Sequence, residues 1–348
     1  MLANAAWFGA AGAAWAQPTP SADDVLAKIV QNRTALKAGR ISIRVTYEVD
    51  EYPDNEWKSR TYHYRFLFDG RARRIDVENE GVTKQGRVGR STEQVVFLAD
   101  GTFILRPARS AAPVEVGSDR RVVGSVEEKD IDPRLVGLVP CPFKSLWKYG
   151  LDDAFESLRL GEIQIEQQTL GTDGARLRVS STYESADGKP VANELIVDPS
   201  AGYSVSSAGF SRPDFAAYVK TMNKQWAPGV WYPHESIYEQ LIAGNLVQRV
   251  RMVVEAVEPL EQVSPAEFTL GALELKEGRV VRKNLDYFIW DGANLVPHSE
   301  DQPRRVAPAD LPEQAASARR WVVLLISNAV VFALIAAWFV ARYYLRSH

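Results

Sequence analysis

The chain's regular patterning opens at Ser21-Ala22-Asp23-Asp24, after which Val25, Ile29 and Leu36 recur at helical spacing to about Lys37. A hydroxyl at the cap and acids in the first turn satisfy free amides and suit the helix dipole, so one amphipathic helix is predicted. From Arg40 the period falls to two. Ile41, Ile43, Val45 and Tyr47 alternate with Ser42, Arg44, Thr46 and Glu48, the pattern of a strand with one wet face. The same texture predicts strands over 60–68, 72–78, 94–98 and 102–106, broken at Asp69-Gly70 and Asp100-Gly101. Asp187-Gly188 separates strands over 175–185 and 191–198, and Ala243-Gly244-Asn245 separates 231–241 from 246–257. Short turns permit only antiparallel neighbours, and no helical crossovers are evident, so the expected class is mainly β with a curved antiparallel sheet. Residues 132–149 are expected to be a loop with a short helix, which 152–158 continue, and 213–222 another short helix. Leu135, Val136, Leu138, Val139, Phe143, Leu146 and Trp147 make the first of these segments too apolar for a solvated loop, so it must cover something.

Beyond the folded body the pattern changes twice. Residues 299–318 are rich in Pro, Ala, Glu and Gln without periodicity and are expected to be a linker. Between Arg320 and Arg342 there is no charge, and the apolar stretch from Trp321 to Val340 has the length of a helix that crosses roughly 30 Å of hydrocarbon. Trp321, Trp338, Tyr343 and Tyr344 stand where interfacial rings are expected, with Arg319, Arg320, Arg342 and Arg346 outside them. Two arginines on each side leave orientation to the N-terminus. There Ala14-Trp15-Ala16 precedes Gln17 in the form of a signal-peptidase site, although the basic start is missing and a disordered Ala-rich leader is the alternative. The expected organisation is therefore a signal remnant over 1–16, a β-rich domain over 17–298, the linker 299–318, and a transmembrane helix with a short tail over 319–348. Such a chain would sit in a bacterial inner membrane, single-pass, with its bulk extracytoplasmic, its C-terminus cytoplasmic, and the bilayer as a partner.

Composition and chemistry narrow the function by exclusion. Among 348 residues, 46% are hydrophobic and 24% charged, with net charge −3 and pI near 5.9, which gives no footprint for nucleic acid. A lone Cys141 makes no intramolecular disulfide and is expected to be a buried, inert thiol. His63, His234, His298 and His348 are far apart, and adjacent His234 and Glu235 on a strand point to opposite faces, so no metal is expected. There is no nucleophile elbow, and Gly86-Arg87-Val88-Gly89 lacks the lysine of a phosphate loop. Glu127-Glu128 and Asp152-Asp153 suit solvated positions, the second pair an N-cap, better than acid–base couples. The expectation is a non-enzyme without a cofactor. Arg71-Ala72-Arg73-Arg74 is expected on a wet strand face, with lipid headgroups as its alternative partner.

The order of elements resembles the LolA/LolB-like half-barrels of periplasmic lipoprotein carriers. The resemblance rests on the helix at 24–37, the strand at 41–49, Tyr64-Arg65-Phe66 to Ile75-Asp76-Val77, and Phe97-Leu98-Ala99-Asp100-Gly101-Thr102-Phe103. Trp231-Tyr232-Pro233, Gly244-Asn245 and Ser264-Pro265-Ala266-Glu267-Phe268-Thr269-Leu270 extend it to about residue 275. It implies an incomplete barrel with the N-terminal helix in its mouth, short covering helices, and a concave slot for an acyl chain, lipid or lipoprotein. Tyr62, Tyr64, Phe66, Phe97, Phe103, Trp147, Trp226 and Trp231 are the candidate ligand-binding residues on this view; the alternative is that they are sheet core. A slot burying ~14 methylenes at about 0.8 kcal/mol each would offer on the order of 10 kcal/mol before association costs. The carriers are free or lipid-anchored, whereas a chain with its own transmembrane helix cannot shuttle. That departure points to a local receptor, or else to an envelope sensor or scaffold with a packed interior, contacting a membrane-protein partner through Ser327, Ala329, Ala333 and Ala336-Ala337.

Overall fold

The structure is a computed structural model, and it describes residues 20–51, 57–108, 112–118, 126–169, 175–284 and 286–298. The expected signal, linker and membrane segments lie outside these residues. Among the described residues no helix is long and apolar enough to cross a membrane. The chain divides into one unit comprising Met1–Arg109 and Pro113–Val296, and a second comprising Ser110–Ala112 and Pro297–His348. Only Ala112, Pro297 and His298 of the second are described.

The first unit begins with helix α1 (Ala22–Thr34), whose Ser21 Oγ accepts a hydrogen bond from the Asp24 amide at 3.2 Å. Val25, Leu26 and Ile29 form its buried face, and Arg33, one helical turn further, shares it. There follow β1 (Ala38–Asp50), β2 (Trp57–Asp69), β3 (Ala72–Thr83), β4 (Val88–Phe97), β5 (Phe103–Arg106) and β6 (Val114–Gly117). A segment of short helical turns comes next, at Glu127–Lys129, Pro133–Leu135 and Phe143–Lys148, ending in α2 (Glu156–Arg159). Then come β7 (Glu162–Thr169), β8 (Ala175–Glu184), β9 (Pro190–Asp198), β10 (Ser204–Arg212), β11 (Phe215–Ala227), β12 (Val230–Ile242) and β13 (Asn245–Leu260). Last are β14 (Val280–Lys283), β15 (Asp286–Trp290) and β16 (Leu295–Pro297).

All sixteen strands join one open, curved, mixed sheet in the order β16-β15-β14-β6-β5-β4-β3-β2-β1-β13-β12-β11-β10-β9-β8-β7. The expected hairpin glycines turn the chain where the pattern placed them. At the β12–β13 turn both Ala243 (φ 49°) and Gly244 (φ 81°) take the left-handed conformation of a primed turn, whose twist matches the flanking strands.

Three expectations are corrected. The sheet is not wholly antiparallel, because β6 and β14 run parallel with Val281 opposite Val114. Turn length constrains only consecutive strands, and these two are separated by nearly half of the chain. Residues 213–222 are not a helix but a two-residue turn and the start of β11, where buried Ala217, Val219 and Thr221 alternate with exposed Tyr218, Lys220 and Met222. Twelve cross-strand partners on β12 fix that period of two. Asp152-Asp153 do not cap a helix with a side chain; α2 starts after Phe155 with no side-chain cap.

The sheet buries two layers. On one face Ile41, Ile43, Val45, Tyr64, Phe66, Val95, Phe97 and Phe103 meet α1 and the segment from Val126 to Leu158. On the opposite face Leu67, Val96, Ile104 and Val114 meet Val263, Phe268, Leu273 and Trp290 from the chain after β13. Strands β2, β4 and β5 are thus apolar on both sides, which explains continuous runs such as Phe66-Leu67-Phe68 and Val95-Val96-Phe97. The second layer is also pinned by polar contacts: the Val263 amide donates to Asp69 at 3.0 Å and Arg106 donates to the Leu273 carbonyl at 2.9 Å.

Candidate functional site

Strand period decides which candidate side chains meet. Tyr62, Tyr64 and Phe66 fall two apart on β2 and stack in a ladder with successive ring centroids 5.9 Å apart. Tyr47 joins its end edge-on at 5.9 Å, and cross-strand partners Phe97 and Phe103 lie in the same cluster. All five predicted residues on β2, β4 and β5 are therefore brought together. They do not line an open slot: each is 6% exposed or less. The cover is the segment of helical turns, whose Phe143, wholly buried, places its ring 4.6 Å from that of Tyr64 and 6.3 Å from that of Phe66. Leu135, Val136, Leu138, Leu146, Phe155 and Leu158 complete the packing. Lys144 reaches over the Tyr62 ring (4.3 Å) and donates to its hydroxyl at 2.7 Å, a cation that keeps its head polar while its stem covers apolar surface.

The three tryptophans behave differently. Trp147 lies on the covering segment and Trp226 on β11, each half-buried against the same cluster. Trp226 donates to the Tyr232 carbonyl at 3.3 Å and lies under Lys224 at 4.3 Å. Trp231 is separate from the cluster: it stands beside Gly202 and helps line a cavity of about 760 Å³ on the other face of β7–β12.

Toward β8–β13 the interior becomes polar, with Ser181, Asn193, Thr221, Ser236, Gln240 and Gln248 all buried. Thr221 and Ser236 hydroxyls pair at 3.1 Å, and Asn193 donates to the Ser157 carbonyl at 3.1 Å. Gly137, at φ 76°, brings the covering segment so close that a Cβ there would lie 2.6 Å from Thr221 Oγ1.

Pattern reasoning missed the charged knot beneath α1. Arg33 is 1% exposed, its three guanidinium nitrogens have no hydrogen-bond partner among the described residues, and it lies 4.9 Å over the Tyr232 ring. Burial lowers its pKa to about 10, while Tyr232 and Asp132 oppose that fall. Asp132, 8% exposed, accepts from the Arg134 guanidinium at distances down to 2.7 Å and from the Arg134 amide at 3.0 Å, and Arg73 pairs with Asp130 beside it. The Tyr232 hydroxyl donates to the Pro133 carbonyl, and its pKa is raised, chiefly by burial. The spacing Val25, Ile29, Arg33 was the available signal, an arginine at a core position of an apolar stripe. Two further expectations resolve here. The run at 71–74 is wet only at its start: Arg71 is exposed, whereas Arg73 and Arg74 are paired to Asp130, Asp76 and Glu267 and largely covered. Cys141 is a buried free thiol whose pKa burial pushes up to about 12. Among the described residues no group of His, Cys, Asp and Glu has the arrangement to hold a metal ion.

Comparison with known proteins adds little to this geometry. No family model matches the chain, and no curated protein does. Among solved structures, a DUF1329 family protein from Desulfovibrio piger shows 9% identity and a TM-score of 0.42, covering 73% of this chain and 100% of that one. The Mycobacterium tuberculosis lipoprotein LppX has 9% identity and a TM-score of 0.25 over 70% and 99% of the two chains. A β-barrel-like protein of the DUF1849 domain from Brucella abortus has 9% identity and a TM-score of 0.24 over 64% and 98%. With TM-scores below 0.5 none of the three fixes a shared fold.

Proposed function

We propose that the chain is a non-enzymatic envelope protein, tethered in the inner membrane by residues 321–340, that senses or scaffolds through its surface while its interior stays packed. The observation that carries this is the burial of Tyr62, Tyr64, Phe66, Phe97 and Phe103 beneath the chain's own Phe143 segment. A filled interior has no room for an acyl chain without losing those contacts. The test is a titration of the full chain, held in lipid nanodiscs, with a fluorescent fatty acid, together with mass spectrometry of the purified protein. No saturable binding and no retained lipid are expected; a stoichiometric acyl ligand overturns the packed-interior reading.

One observation favours the LolA/LolB-like alternative, an acyl-chain or lipoprotein receptor. Residues 126–158 contribute no strand to the sheet and lie on it through side chains and short helical turns, so their withdrawal would break no ladder of backbone bonds. On that reading Phe143→Ala raises fatty-acid affinity, whereas with a packed, closed interior it only lowers stability.

A further inference from the structure

The face of β7–β12 opposite the aromatic interior is not covered by the second apolar layer, and its charged side chains are ordered in pairs. Arg178 meets Glu194 and Glu166 at 2.6 and 3.3 Å, Arg249 meets Glu239 at 2.6 Å, and Arg251 meets Glu235 at 2.8 Å. Two cations on the same face break the rule. Arg176 on β8 and Lys220 on β11 have no carboxylate within pairing distance among the described residues, and both line the cavity of about 760 Å³.

The cavity's own acids make no ion pair with them. Glu235 is held by Arg251, and Asp198, which keeps its charge, turns its Oδ1 to the Ser200 and Ala201 amides at 2.9 and 3.2 Å and to the Ser200 hydroxyl at 2.6 Å. Three polar atoms of lining residues are buried without a partner: Arg176 Nε, Ser204 Oγ and Asn223 Oδ1. Ser204 is 1% exposed, so water does not serve its hydroxyl freely. A buried donor or acceptor left unpaired costs free energy, and several such atoms around one cavity mark a place where a ligand completes the bonds.

Each atom specifies part of that ligand. Arg176 Nε–H and the Lys220 ammonium donate to an anionic group; Asn223 Oδ1 accepts, and so needs a hydroxyl or amide on the ligand; Ser204 Oγ serves either role. β8 and β11 are three strands apart, roughly 14 Å of sheet, so a bare ion at one cation would not engage the other. A body of several ångströms fits, lying against Ile196, Met222, Ile237 and Trp231. The Trp231 end of the cavity is braced by α1, whose Asn32 amide donates to the Trp231 carbonyl at 3.3 Å.

From this arrangement we infer that the outer cavity of β8–β12 binds an anionic, polyhydroxylated small molecule, of the sugar phosphate or sugar acid class. The inference rests on the surface-recognition reading and names its ligand chemistry. The anion can come from a free saccharide or from a lipid headgroup, and the probes separate the two.

The experiment uses the full chain in neutral nanodiscs and follows binding by calorimetry and by the change in tryptophan fluorescence that Trp231→Phe removes. The probes are glucose 6-phosphate, glucuronate, dihexanoyl phosphatidylglycerol, inorganic phosphate and glucose. Saturable binding of at least one sugar anion or of the phosphatidylglycerol is expected. Glucose and inorganic phosphate should bind at least about tenfold more weakly, and added salt should weaken the anionic probes. Preference for the sugar anions assigns a free saccharide, and preference for the lipid assigns a headgroup. Arg176→Gln and Lys220→Gln, each checked for native circular dichroism, should each weaken binding about tenfold or more. Absence of saturable binding by all three anionic organic probes overturns the inference, as does binding that the Arg176→Gln, Lys220→Gln double variant leaves intact. Failure here with no acyl ligand in the interior leaves the surface reading standing, whereas an acyl ligand in the fatty-acid titration removes that reading independently.

Discussion

Replacing Phe143 by Ala asks whether residues 126–158 are core or lid. The ring is wholly buried and touches both Tyr64 and Phe66, so its loss leaves a void that the rigid sheet on one side cannot fill. Large-to-small substitutions of this kind cost about 3–5 kcal/mol, the upper half applying where the surroundings cannot collapse. The lost edge and face contacts between rings are part of that cost, each worth about 0.5–1.5 kcal/mol. Urea unfolding followed by far-ultraviolet circular dichroism should therefore show a lower midpoint at unchanged slope, and Tm should fall by roughly 6–20 °C. Leu160→Ala, a 65% exposed neighbour just past α2, is the control and should change stability by no more than about 0.5 kcal/mol. If Phe143→Ala costs less than about 1 kcal/mol, the segment is not integral to the core and the case for a packed interior collapses.

Three further outcomes follow from groups the core encloses. Arg33→Met removes a buried, unpaired cation and should leave the protein as stable or up to about 3 kcal/mol more stable at neutral pH, measured by urea unfolding; a loss above about 2 kcal/mol would show that the guanidinium is net stabilising where it lies. Because the folded-state pKa of Arg33 is depressed to about 10, the charge costs stability below that pH, and the wild type should gain on the variant as pH rises from 9 to 11. Cys141, with its pKa pushed up to about 12, should resist a thiol reagent at pH 8 in the native protein and react at once in denaturant; fast native labelling would contradict its burial. Gly137→Ala meets both a positive φ and an oxygen at 2.6 Å, so it should destabilise by about 2–4 kcal/mol in the same assay, and a neutral result would mean that the segment does not approach Thr221.

What the sequence disclosed was local. The start of the helix at its Ser21 cap, and the hairpins at Asp69-Gly70, Asp100-Gly101, Asp187-Gly188 and Ala243-Gly244, are set by turn chemistry and short period, and they stand where the pattern placed them, although the helix ends at Thr34 rather than near Lys37. β11 escaped because small Ala216 and Ala217 blur its alternation, and its period becomes plain only in register with β12. The parity of Tyr62, Tyr64 and Phe66 put them correctly on one face, but parity is silent on what covers that face. The apolar residues from Leu135 to Trp147 announced that they cover something, without saying what. The outer cavity left no trace at all, since Arg176, Ser204, Lys220 and Asn223 come from three strands and are ordinary surface letters until the sheet aligns them.

The place of β1 in the sheet bears on how the molecule is made. Its partner on one side, β2, follows immediately, but on the other it waits for β13, with Ile41 opposite Val257 some 200 positions later. At about 5–20 residues per second, a ribosome leaves that flank of β1 bare for on the order of 10–40 seconds. For that interval the nascent chain carries an adhesive margin of unsatisfied backbone groups and β-branched side chains, to which a second copy could zip as readily as the chain's own end. Yield in the cell should thus be limited less by the finished protein's stability than by how well that margin is shielded until translation catches up.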